Sequence, residues 1–240
     1  MRRRLAVWLC LGALAAPAGS GADPLRVFAA ASLAEPFRAL EAAWHGPPLQ
    51  LQLAASSTLA VQILEGAPAD VIATADQPTM QRLVDAARVE APQRFARNRL
   101  VIAVEQGNPK HVARLADLAR EDLLVVLAAP EVPAGRYARQ MLDGAGVRLA
   151  PRSLEESVKA VLNKVVLGEA DAGIVYASDV RSAGERVQAV EVPEAAGVDV
   201  SYWIAVLRAS QAGAAARDFV TLVLSRTGHD ALVKAGFSPP

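Results

Sequence analysis

Two serines stand where a β-type run gives way to a helical one, and their surroundings suggest anion binding more than catalysis. Ala29-Ala30-Ala31-Ser32 closes the first apolar run, and Ser32-Leu33-Ala34-Glu35 has the spacing of a capping box. Ala54-Ala55-Ser56-Ser57-Thr58 repeats the arrangement after the second run. Such a junction offers free backbone N–H groups, the positive end of a helix dipole and a hydroxyl. Plain capping explains one serine of this kind. Two, each approached by alanines that leave room, could face one another across an oxyanion. Other chemistry finds less support. His45 precedes Gly46-Pro47-Pro48, His111 follows Asn108-Pro109-Lys110 and His229 follows Gly228, which reads as a helix end. All three read as surface residues, and no pair has metal-ligand spacing. The chain has no G-x-S-x-G elbow, P-loop or G-x-G-x-x-G. A secreted serine hydrolase built on Ser32 or Ser56 needs a histidine within reach, and neither serine has one nearby in sequence.

The elements that must position these serines alternate along the chain. Leu25 to Phe28 reads as a strand and Leu33 to Trp44 as an amphipathic helix. Leu49 to Leu53 alternates strictly, Leu59 to Leu64 reads as a helix stopped by Gly66, and Asp70 to Thr74 as a strand before a helix at Pro78 to Ala87. Leu100 to Val104 and Leu123 to Leu127 are apolar runs of the kind buried on both faces. Further strands are expected at Ala172 to Tyr176, Val187 to Val192 and Tyr202 to Leu207. Further helices are expected at Arg136 to Asp143, Val158 to Leu167 and Ala214 to Leu224. The pattern is α/β with mostly parallel sheets. No repeat or low-complexity run divides it.

Composition narrows the classes. Of 240 residues, 25 are basic, 25 acidic and 52% hydrophobic. A neutral, apolar chain is not a disordered one. Nor does it carry the broad basic face of a nucleic-acid binder. Residues 1–22 form an expected signal peptide: Arg2, Arg3 and Arg4, the apolar run Leu5 to Ala16, then small residues ending at Ser20-Gly21-Ala22. The run falls short of the ~20 apolar residues of a spanning helix. The only cysteine, Cys10, lies inside it, so the exported chain is expected to have no disulfide, thiolate–metal site or cysteine nucleophile. Losing the three arginines leaves it mildly acidic.

Longer blocks carry a resemblance. Val27-Phe28-Ala29-Ala30-Ala31-Ser32-Leu33, Ser56-Ser57-Thr58-Leu59-Ala60 and Gly66-Ala67-Pro68-Ala69-Asp70-Val71 resemble the periplasmic molybdate-binding proteins of ABC transporters. So do Ala75-Asp76, Ala96-Arg97-Asn98-Arg99-Leu100, Val132-Pro133-Ala134-Gly135-Arg136-Tyr137-Ala138, Gly173-Ile174-Val175-Tyr176 and Lys234-Ala235-Gly236-Phe237. These blocks keep family order over nearly the whole chain after residue 22. The resemblance implies a type II periplasmic binding protein, two α/β lobes with a ligand cleft between them. The first lobe would take residues 23–98 and 209–240, the second residues 99–208. It implies a non-enzymatic receptor for molybdate, and for tungstate, with no cofactor and molybdenum present only as the oxyanion. The donors would be the hydroxyls and backbone N–H groups of Ser32 and Ser56, the N–H groups of Ala134 and Val158, and the phenol of Tyr176. The implied partner is a membrane permease with a cytoplasmic ATPase, the implied compartment the periplasm, and the implied state a monomer. A sulfate- or thiosulfate-type receptor is the nearest alternative, and a sensor of the same fold another.

Neutral donors suffice for such a ligand, because a charge-assisted hydrogen bond is worth ~1.5–3 kcal/mol. A cavity offering only donors also disfavours hydrogen phosphate, whose own proton would meet another donor. Sulfate has the charge and shape of molybdate and could be rejected only by size.

Overall fold

The computed structural model describes residues 23–240, so the expected signal peptide, residues 1–22, lies outside the described residues. Ten strands and eight α-helices are found there. The first five strands are β1 (Leu25–Ala30), β2 (Leu49–Ala54), β3 (Val71–Thr74), β4 (Gln93–Asn98) and β5 (Leu100–Glu105). Then come β6 (Val125–Ala128), β7 (Ser153–Glu155), β8 (Ala172–Tyr176), β9 (Val187–Val190) and β10 (Val200–Val206). The helices are α1 (Ala34–Glu41), α2 (Ser56–Leu64), α3 (Gln77–Asp85) and α4 (Pro133–Gly144), followed by α5 (Val158–Val166), α6 (Ala177–Ala183), α7 (Gly213–Leu224) and α8 (Arg226–Lys234). The strands form two five-stranded sheets, ordered β2-β1-β3-β10-β4 and β7-β6-β8-β5-β9, one for each lobe.

Side-chain alternation explains how the first sheet is covered on both faces. Leu25, Val27 and Ala29 of β1 join the large core cluster with Phe37 and Phe219, whereas Phe28 between them faces the other way. There it packs with Leu59, Ile72 and Leu83 under α2 and α3.

Two expectations need correction. The chain returns to the first lobe at β10, before residue 209: Ile204 pairs with Ala73 of β3, and Tyr202 with Ala96 of β4. An apolar run announces a strand but not the sheet that accepts it, and β10 inserts between two strands from the first hundred residues. The sheets are also mixed, with four parallel strand pairings and four antiparallel ones. β5, buried as a parallel strand would be, runs antiparallel to both β8 and β9. Each crossing between lobes reverses the direction in which the next strand enters. Missing from the expected elements are β4, whose sequence Gln93-Arg94-Phe95-Ala96-Arg97-Asn98 is mostly polar, the three-residue β7, α6 and α8. Gly228 lies inside α8 rather than ending a helix.

The lobes are joined where Asn98 gives way to Leu100 and again between β9 and β10. Arg99 and Glu191 tie these crossings side by side with a forked contact of 3.1 and 2.6 Å. The Arg99 guanidinium holds the Glu191 carboxyl below the usual carboxylate range. Both side chains are exposed, so the pair aligns the crossings more than it stabilises them.

Candidate functional site

Helix starts from both lobes converge on one point of the seam. The first lobe supplies the short 3-10 turn Ala31–Leu33 that leads into α1, and the start of α2. The second supplies the starts of α4 and α5 and the end of β8. Between them lies a small cavity of about 20 Å³. Ser32, Ser56, Ala134, Val158 and Tyr176 all line it, together with Ala30, Ala31, Ala54, Ala55, Ala75, Val132, Pro133 and Ser157. Not one of these side chains carries a charge.

The serines do not cap their helices. Ser56 is the first residue of α2 and the N-cap is Ala55; neither this helix start nor the turn at Ser32 has a side-chain cap bond. The capping-box spacing of Ser32 and Glu35 is therefore not used, and the cap of α1 is Leu33. Ser157 is a true cap, accepting from the Ala160 N–H at 3.2 Å. Freed from capping, the Ser56 hydroxyl oxygen accepts from the Ala75 N–H at 2.9 Å. The Ser32 hydroxyl lies 2.8 Å from the Tyr202 hydroxyl.

The backbone adds donors. The first turn of a helix has no internal acceptor for its N–H groups. In α2 the first N–H to find one is that of Leu59, on the Ala55 carbonyl; in α4 it is that of Arg136, on the Val132 carbonyl. In α5 those of Ala160 and Val161 reach Ser157. The groups ahead of them, including those of Ser56, Ala134 and Val158, have no hydrogen-bond partner among the described residues. Pro133 opens α4 and has no N–H, so the first donor of that helix is Ala134.

Tyr176 completes the lining. It is 1% exposed, and its phenol oxygen is buried with no hydrogen-bond partner. Burial raises its pKa well above the ordinary tyrosine value, so the hydroxyl keeps its proton. Its ring packs edge-on against Tyr202, centroids 6.0 Å apart, which fixes where the hydroxyl sits.

Charged groups nearby are already engaged. Lys159, on the first turn of α5, is 2.9 Å from the buried carboxylate of Asp179. Arg136, on the first turn of α4, spans the seam to Asp76 and Thr79 of the first lobe. None of the three histidines lines the cavity, so neither serine has a base beside it there. Among the described residues, no group of three or more His, Cys, Asp or Glu could hold a metal ion, and no helix is long and apolar enough to cross a membrane. The arrangement can do one thing well: present neutral donors from two lobes to a small anion.

Residues 25–238 match the family model of bacterial extracellular solute-binding proteins. The molybdate-binding protein ModA of Mycobacterium tuberculosis is 43% identical over 231 residues, covering 93% of this chain and 88% of that protein. This chain is a bacterial extracellular solute-binding protein. Within that family it groups with the ModA proteins, and it is a binding protein rather than an enzyme. Solved structures share the fold of this solute-binding protein. The periplasmic molybdate-binding protein of Azotobacter vinelandii superposes with a TM-score of 0.78 at 19% identity, covering 90% of this chain and 99% of that one. The sulfate-binding protein SubI of Mycobacterium tuberculosis does so with a TM-score of 0.78 at 22% identity, covering 90% and 86%.

Tyr202 and Arg136 stand behind the lining of this solute-binding protein, and sequence reasoning assigns them no role. Arg136 lies inside a recognised block, but neither residue type nor spacing marks what it touches.

Proposed function

We propose that this solute-binding protein captures molybdate, and tungstate with it, in the periplasm and delivers it to an ABC permease driven by a cytoplasmic ATPase. The observation that carries the reading is the unpartnered Tyr176 phenol in an uncharged cavity. Buried polar groups without partners cost about 1–3 kcal/mol and are few in native proteins. An oxyanion oxygen would satisfy this one. Ser32 and Ser56 would donate through hydroxyl and backbone, Ala134 and Val158 through backbone, so that molybdenum meets the protein only through its oxygens. The ModA relatives support molybdate as the anion. Because the donors come from both lobes, the anion itself holds the cleft shut, and a monomer forms a complete site.

Titration of the exported protein with molybdate by calorimetry tests this, with sulfate and phosphate as competitors. One-to-one binding that survives both competitors is expected. Binding of sulfate alone would keep the fold and replace the ligand; no binding of any tetrahedral anion would overturn the reading. Ser56→Ala separates two effects in the same assay. It strands the Ala75 N–H with and without ligand, lowering stability by about 1–3 kcal/mol. It also removes one donor to the anion, lowering affinity about 10- to 100-fold. Unchanged affinity would remove Ser56 from the site.

A further inference from the structure

We infer that Tyr202 makes Ser32 an obligate hydrogen-bond donor, and that this fixed polarity discriminates against anions that carry a proton. The inference rests on the oxyanion reading proposed above. A serine hydroxyl is ambivalent, since it donates one hydrogen bond and accepts others. Left free, Ser32 could turn and accept from a protonated ligand oxygen, so a serine alone does not separate molybdate from hydrogen phosphate. What stands behind it decides.

Tyr202 is completely buried in the middle of β10, packed edge-on by Phe95, Tyr176 and Phe237. Its hydroxyl proton needs an acceptor, and the one within reach is the Ser32 oxygen at 2.8 Å. Ser32 is the one hydrogen-bond partner of the Tyr202 hydroxyl, so the Tyr202 proton points at it. Ser32 therefore accepts from behind and turns its own proton into the cavity. Ser56 is set the same way by the Ala75 N–H. Burial lifts the Tyr202 pKa well above its ordinary value, so the relay keeps its proton through neutral pH.

The test is Tyr202→Phe, which keeps the ring and deletes the proton that polarises Ser32. Affinities for molybdate, tungstate and phosphate are measured by calorimetric competition, alongside the melting temperature. Molybdate and tungstate are expected to weaken together, about tenfold. Phosphate is expected to hold or gain, so the molybdate-to-phosphate ratio narrows by about tenfold or more while the molybdate-to-tungstate ratio stays fixed. A second variant, Ser32→Ala, removes the polarised hydroxyl itself and is expected to narrow the molybdate-to-phosphate ratio as well. If Tyr202→Phe binds molybdate and both ratios match those of the unsubstituted protein, the inference fails while the receptor reading stands. If the unsubstituted protein binds no tetrahedral anion, the receptor reading itself fails. Should Tyr202→Phe not fold, an unchanged molybdate-to-phosphate ratio in Ser32→Ala overturns the inference on its own.

Discussion

Gly135→Ala is expected to weaken molybdate binding by more than about 100-fold, although helix propensity favours the change. Gly135 is the third residue of α4, and alanine in a helix is worth about 1 kcal/mol more than glycine. The obstacle is steric. A Cβ at this position would lie 2.0 Å from the Ala129 carbonyl oxygen and 2.5 Å from that of Ala128. Both are backbone atoms at the end of β6, so no side chain can swing aside. Relief requires the first turn of α4 to move off the strand, and the Ala134 N–H moves with it. Overpacking of this kind costs typically 1–3 kcal/mol, here in the upper part of that range. The melting temperature should fall by about 5–10 °C and affinity by more than about 100-fold. Retained tight binding would mean that the start of α4 contributes nothing to the anion.

Arg136→Ala is expected to weaken binding about 100-fold while leaving each lobe folded. Its guanidinium crosses the seam to Asp76, whose side chain is 1% exposed, and also reaches the Thr79 hydroxyl at 2.9 Å. Arg136 itself is 35% exposed, so deleting it strands a buried carboxylate at a cost of about 1–3 kcal/mol. Here the stranded carboxylate has an escape. When the lobes part, Asp76 meets water, so the cost falls on the closed form and appears as lost affinity. Asp76→Asn in the Arg136→Ala background should recover part of it, because the stranded group then has no charge. Scattering from the ligand-free protein should show a shift toward the open form. A large fall in melting temperature with unchanged affinity would place the pair's role in folding and contradict the account.

Most strands and helices and the two serine junctions can be read from periodicity and from short polar residues after apolar runs, but not β4, β7, α6 or α8. The remaining donors cannot. Any residue except proline supplies an N–H, so Ala134 and Val158 leave no trace in residue type; they came from resemblance alone. Tyr176 reads as the end of a buried strand until its unpartnered hydroxyl is seen. Long-range partners were equally hidden. Tyr202 lies 170 residues from Ser32. Arg136 lies 60 residues from Asp76, and nothing local in either segment marks the other. The return of β10 to the first sheet was missed for the same reason, since strand patterning specifies burial but not the partner.

The central claim is that one uncharged cavity at the seam holds a tetrahedral oxyanion through hydroxyl and backbone donors from both lobes. Diffraction from crystals grown with molybdate, recorded at the molybdenum absorption edge, tests it most directly. The account predicts a single anomalous peak in the cavity, with oxygens about 2.5–3.2 Å from the Ser32, Ser56 and Tyr176 hydroxyls and the Ala134 and Val158 N–H groups. A peak held by lysine or arginine elsewhere on the surface, with the Tyr176 hydroxyl still unpartnered, would contradict it.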